Sequence, residues 1–132
     1  EMAAIEHIAP QTRSNNWGHE IYAAGYLHRI GNLTLTSQKL NSSFGARSWQ
    51  EKRVLYNALS QQVQDDARQT FDAALAGGIA FGEQTTDLMK SYRYTPILES
   101  LSKFTDWNKT SCEDRGKNIL ERTWDYFWPF LN

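Results

Sequence analysis

The chain has 132 residues, with 14 Lys and Arg against 15 Asp and Glu, three His, one Cys, five Trp, six Tyr and six Phe. A lone Cys112 excludes a disulfide framework and any thiolate-rich zinc or iron–sulfur centre, and a net charge of −1 excludes the blanket basic electrostatics of a general nucleic-acid coat. No apolar run approaches the ~20 residues of a membrane-spanning helix and no segment has the form of a signal peptide, so one soluble cytoplasmic domain without membrane contact is expected.

Residues 1–47 are rich in Asn, Gly, Ser and Thr and hold all three histidines, whereas residues 48–132 show helical periodicity. The apolar stretch from Met2 to Ile8 reads as a strand ending on Glu6-His7, and Leu33-Thr34-Leu35-Thr36 reads as a second. Ser48 and Glu51 have capping-box spacing, and Val54, Leu55, Ala58, Leu59 and Val63 continue a helix expected over 49–63. Ala67, Phe71, Ala74 and Leu75 form the next helix, closed by Gly77-Gly78. Met89 and Tyr92 mark a third helix that stops before Pro96, and Pro96 opens a fourth with Leu98, Leu101 and Phe104 in register. Thr110 and Glu113 suggest another capping box. It precedes a broad stripe of Ile119, Leu120, Trp124, Phe127 and Trp128, whose tryptophans are expected to anchor the core.

The chemistry-bearing residues lie in the first 47. Asn32 follows His7 by 25 residues and Asn41 follows Asn32 by nine. A strand ending in an acid and a histidine, a turn-rich connection, a second strand and an Asn leading into a helix can hold one hard cation beside one imidazole. Carboxylate and amide oxygens suit Mg²⁺ or Mn²⁺, which keep several waters and accept phosphate oxygens, and the implied chemistry is metal-assisted phosphodiester hydrolysis. Taken singly, His7 also suits a hydrogen-bonded structural histidine, Asn32 a turn and Asn41 a helix cap. Between residues 39 and 53, Lys39, Arg47, Lys52 and Arg53 are opposed by Glu51 alone, which makes this the best local candidate for phosphate contact.

The runs Glu-His-Ile-Ala-Pro-Gln (6–11), His-Arg-Ile-Gly-Asn-Leu-Thr-Leu (28–35) and Leu-Asn-Ser-Ser (40–43), with Lys52 and more weakly Trp107, Arg115 and Trp128-Pro129, resemble the C-terminal HNH nuclease domain of GmrSD-type restriction enzymes. The resemblance implies an α+β domain over 1–132, a ββα-metal core in 1–60 followed by a helical subdomain in 61–132. It implies that His7 is the general base, Glu6 and Asn41 the ligands of one Mg²⁺ or Mn²⁺, and Asn32 the residue that ties the base-carrying loop to the hairpin. Glu6 is one methylene longer than the Asp common in the wider superfamily, so it ligates from further away or through water. Lys52 matches a lysine expected to contact a phosphate. Lys39, Arg47 and Arg53 join it as DNA-backbone candidates by charge, and His28 either approaches the site or a phosphate, or braces the hairpin.

The resulting expectation is a metal-dependent DNA endonuclease or nickase. It would be the effector end of a larger anti-phage restriction protein whose N-terminal domain binds nucleotide and senses modified DNA. The abrupt start at Glu1, at or inside the first strand, points the same way. A degenerate HNH fold that only binds DNA or protein, and an RNA-cleaving nuclease, are the alternatives.

Overall fold

The computed structural model describes residues 2–14, 16–23, 25–90 and 92–131; the reading of Glu1 as the start of a strand lies outside them. Strand β1 (Ala3–His7) pairs antiparallel with β2 (Leu33–Ser37), with Ala3 opposite Ser37 and His7 opposite Leu33. The connection between them holds the short helix α1 (His19–Ala23) and two 3₁₀ turns, Tyr26–His28 and Ile30–Asn32. β2 passes directly into α2 (Gln38–Phe44), because the Ser37 side chain caps the helix by accepting from the Leu40 N–H. The hairpin and α2 make the ββα unit, and the fold is α+β, as the sequence implied.

The helical region follows as α3 (Trp49–Leu59), α4 (Gln64–Ala76), α5 (Glu83–Lys90), α6 (Glu99–Ser102) and α7 (Lys109–Leu131). Ser48 and Glu51 form the expected reciprocal cap on α3. The third helix is α5, and Pro96 opens a 3₁₀ turn, Pro96–Leu98, that runs into α6. α3 lies at the centre. Leu55, Tyr56 and Leu59 are fully buried with Ile8 of the loop after β1, Phe44 of α2, and Leu98 and Leu101 around α6. Trp17, Trp49 and Trp107 are buried too, and each indole N–H finds an oxygen: Arg47 O, Thr105 O and Asn32 Oδ1.

Three local expectations need correction. α3 stops at Leu59, where Ser60 and Gln61 both turn back onto the Asn57 carbonyl, and Val63 precedes α4 as an exposed residue. α7 is capped by Asn108, whose Oδ1 accepts from Ser111 N while Ser111 Oγ accepts from Asn108 N, rather than by a Thr110–Glu113 box. Trp124 and Trp128 are 56% and 48% exposed and are not core anchors. Only the first turns of α7 dock, where Ser111, Cys112 and Arg115 are buried. Gly31 allows that approach, since a Cβ there would stand 1.9 Å from the Cys112 carbonyl oxygen. Beyond Ile119 the described residues of α7 are exposed, and Trp124 and Trp128 lie against each other at 5.1 Å. Among the described residues, no helix is long and apolar enough to cross a membrane.

The hairpin inverts the usual alternation. Its inward side chains are Glu6, Thr34 and Thr36, all buried, while Ile5 and Leu35 face out. A polar inner face costs free energy unless each group finds a partner, and helix α3 supplies the partners for Glu6.

Candidate active site

Period-two alternation along β1 sends Glu6 inward and leaves His7 half-exposed at the strand end. Glu6 is 3% exposed. Lys52 Nζ donates to its Oε1 at 2.6 Å and Tyr56 Oη donates to the same oxygen at 3.1 Å. Lys52 and Tyr56 stand one helical turn apart on α3, so both reach the same carboxylate. Lys52 also donates to the His7 carbonyl at 3.0 Å, joining the backbone of the base to the side chain of its neighbour. Burial pushes the Glu6 carboxyl above its usual range and the Lys52 ammonium below its own, and each charge favours the other.

Lys52 was expected to contact a phosphate; the structure turns it inward instead. Its side chain is fully buried and its ammonium is committed to Glu6 and His7. The neighbouring cations are also drawn into the body. Arg47 donates to Ser43 O and Thr85 Oγ1 and lies 4.0 Å from Glu51, and Arg53 donates to Ser102 O. Lys39 is exposed on α2 and lines a different cleft from that of His7. The basic window of residues 39–53 is therefore largely internal wiring.

His7, Glu6 and Asn41 are brought together. They line one open cleft of about 330 Å³, with Gln11, Thr12 and Gly45 on its wall. Asn41 is half-buried, and its side-chain amide has no hydrogen-bond partner among the described residues; its backbone carbonyl takes the Gly45 N–H that ends α2. His28, on the first 3₁₀ turn, also meets His7, with Nδ1 3.2 Å from His7 Nε2 and the two rings edge to face. Gln11 Nε2 lies 3.3 and 3.4 Å from the two ring nitrogens of His7. Burial, then the charges of His28 and Lys52, hold the His7 imidazole below the ordinary histidine range, so the ring is neutral at pH 7 and able to accept a proton.

Asn32 is fully buried and every polar atom of its side chain is used. Oδ1 accepts from Ala9 N and Trp107 Nε1, and Nδ2 donates to Ala9 O and Leu27 O. One amide thus joins the loop after His7, the turn carrying His28 and the segment before α7. It touches no open space, so its contribution is to orientation.

A hard cation fits the donor chemistry of the cleft. Among the described residues both hydrogen bonds of the Glu6 carboxylate fall on Oε1 and none on Oε2, and the Asn41 amide oxygen likewise has no partner. Two protein oxygens leave most of the coordination sphere to water, as Mg²⁺ and Mn²⁺ prefer. No group of three or more His, Cys, Asp or Glu able to hold a metal occurs among the described residues.

Gln11 and Tyr56 carry no role in the sequence reading. Gln11 belongs to the Glu-His-Ile-Ala-Pro-Gln run, and Tyr56 has a findable signal: a lysine on the apolar face of α3 needs an internal anion, and the residue one turn later faces the same partner. Comparison with curated proteins gives no match. The profile of GmrSD restriction endonucleases, C-terminal domain, matches residues 1–122, so nearly all of the chain, including every residue of this cleft, belongs to the family of GmrSD restriction endonuclease C-terminal domains.

Proposed function

We propose that the chain is a metal-dependent nuclease domain that hydrolyses phosphodiester bonds in DNA, and that His7 is its general base. The observation that carries this is the convergence of an imidazole, a carboxylate and a side-chain amide on one open cleft. His7 takes a proton from water as the water oxygen bonds to phosphorus, the bond from phosphorus to the 3′ oxygen breaks, and that oxygen takes a proton from solvent, leaving a 3′ hydroxyl and a 5′ phosphate. Glu6 and Asn41 would hold a divalent ion, which would supply charge stabilisation at the phosphate and leaving oxygen. Lys52 keeps Glu6 and the His7 backbone in fixed register, and Asn32 fixes the loop that follows. His28 and Gln11 are exposed and sit against the ring nitrogens of His7; they orient the imidazole and yield to an incoming phosphate.

The family and this chemistry support an effector role beside an N-terminal nucleotide-binding domain that senses modified DNA, in cytoplasmic anti-phage defence. A single site of this kind cuts one strand per visit, which makes the isolated domain a nickase. One observation favours a binding-only domain instead: the Glu6 charge is already balanced by Lys52. Conversion of supercoiled plasmid to open circles with Mg²⁺ or Mn²⁺, and its absence with EDTA, decides between the two; cleavage of RNA in preference to DNA would reassign the substrate.

A further inference from the structure

The apolar side chains that the hairpin turns outward form the wall of a second cleft. Ile5 and Leu35, opposite each other in the sheet, are 58% and 56% exposed, and with Ile97 and Ile119 they line a space of about 550 Å³. That volume lies within the ~300–1,000 Å³ typical of organic-ligand sites. Arg115 of α7 lines it and is 6% exposed. Its Nη1 donates to the carbonyls of Ile30, Gly31 and Leu33 at 3.1, 2.9 and 2.7 Å, but Nε finds no acceptor among the described residues and is shut off from solvent. No carboxylate among the described residues pairs with this guanidinium.

Three carbonyls account for one nitrogen of a buried cation and leave its charge without a counter-ion, which is costly unless an anion arrives. Arg122 and Lys103 add two cations to the lining, against Glu99, which lies 3.5 Å from Lys103. Cations in an aliphatic cleft call for an anionic group carried on an apolar body. Ile5 lines both this cleft and the candidate active site, so the two clefts adjoin at β1.

We propose that this cleft takes one nucleotide of the substrate strand next to the cut, its phosphate toward Arg115, Arg122 and Lys103 and its base and sugar against Ile5, Leu35 and Ile97. This rests on the nuclease reading for the strand, while the shared chemistry is that of any nucleoside monophosphate. Because Arg115 also holds the turn that contains Asn32, an occupied cleft steadies the segment that braces the His7 loop.

Methyl and arginine-side-chain NMR of the whole chain, titrated with thymidine 5′-monophosphate, inorganic phosphate and thymidine, tests the site directly. The monophosphate should shift the Ile5, Ile97 and Arg115 signals and bind about 10-fold tighter than either part alone. A short labelled oligonucleotide, in EDTA to prevent cutting, should displace it. The Lys103→Gln/Arg122→Gln variant, altered on the surface, should bind that oligonucleotide about 10-fold more weakly, with the salt slope reduced by about 0.7. Equal binding of thymidine and its monophosphate overturns the proposal, as does unchanged oligonucleotide affinity and salt slope in the double variant. Failure of the oligonucleotide to displace the monophosphate overturns the strand assignment. Plasmid cleavage with unchanged oligonucleotide binding by the variant defeats the cleft and keeps the nuclease reading; nucleotide bound in the cleft without any cleavage does the reverse.

Discussion

Helices α3 and α7 each send one buried cation against the hairpin, and the two are compensated in different ways. Lys52 meets a carboxylate, a tyrosine-bonded Glu6, at 2.6 Å and is closed to solvent. Arg115 meets three backbone carbonyls through one nitrogen and, among the described residues, no carboxylate, at the wall of an open cleft. Similar burial therefore serves two ends: a closed ion pair fixes geometry, and a guanidinium held by carbonyls alone keeps its charge for a ligand.

The largest expected effect separates them. Lys52→Met leaves Glu6 as an unpaired buried carboxylate and should lower stability by about 3–5 kcal/mol in urea unfolding, with Glu6→Gln in the same chain restoring most of it. Arg115→Met removes donors from carbonyls but strands no opposite charge, so its cost should be smaller, about 1–2 kcal/mol. Equal costs would mean that the two cations are equivalent structural clamps.

Asn32 spans both regions, since its amide binds the loop after β1, and its neighbours Gly31 and Leu33 hold Arg115. Asn32→Ala leaves the Trp107 indole and the Ala9 backbone unpaired and should cost about 2–3 kcal/mol, together with loss of nuclease activity. An unchanged melting temperature would contradict the bracing role.

A smaller effect concerns pH. The His7 imidazole is held below its ordinary value of 6.5 by burial first, then by His28 and Lys52. The unfolded chain therefore binds this proton at higher pH than the folded one, and the stability that depends on a neutral His7 is complete at neutral pH and falls as pH drops through about 6.5. His7→Gln should remove that part of the acid slope in a series of melting curves. The smallest effect belongs to α7 beyond its docked turns: Trp124→Ser should change stability by less than about 0.5 kcal/mol, because the ring is more than half exposed. A loss of several times that size would mean that the aromatic stripe packs against something in solution.

Much of this was legible in the residues. The strand end at Glu6-His7, the hairpin, the Ser48–Glu51 cap and the helical register all follow from local rules of alternation, capping and periodicity. The family resemblance brought His7, Asn32 and Asn41 together across dozens of residues. What was not legible depended on depth. A basic window does not say which ammonium turns inward, so Lys52 read as a phosphate contact, although a lysine amid Leu55, Tyr56 and Leu59 carries a hint. Periodicity likewise defines the stripe of α7 but not how far the body extends beneath it, so Trp124 and Trp128 read as core. Arg115 was visible only as a weak point of resemblance, because its partners are carbonyls, which no side-chain pattern encodes.

The central claim is that His7 activates water for phosphodiester cleavage in the cleft it shares with Glu6 and Asn41. It is tested by incubating supercoiled plasmid with the wild-type chain and with His7→Ala in Mg²⁺ or Mn²⁺. Nicking by the wild type that depends on the metal and falls at least ~100-fold in the variant, with the fold intact by circular dichroism, is the predicted result. An undamaged plasmid at high wild-type concentration with either metal, or equal nicking by His7→Ala, would contradict it.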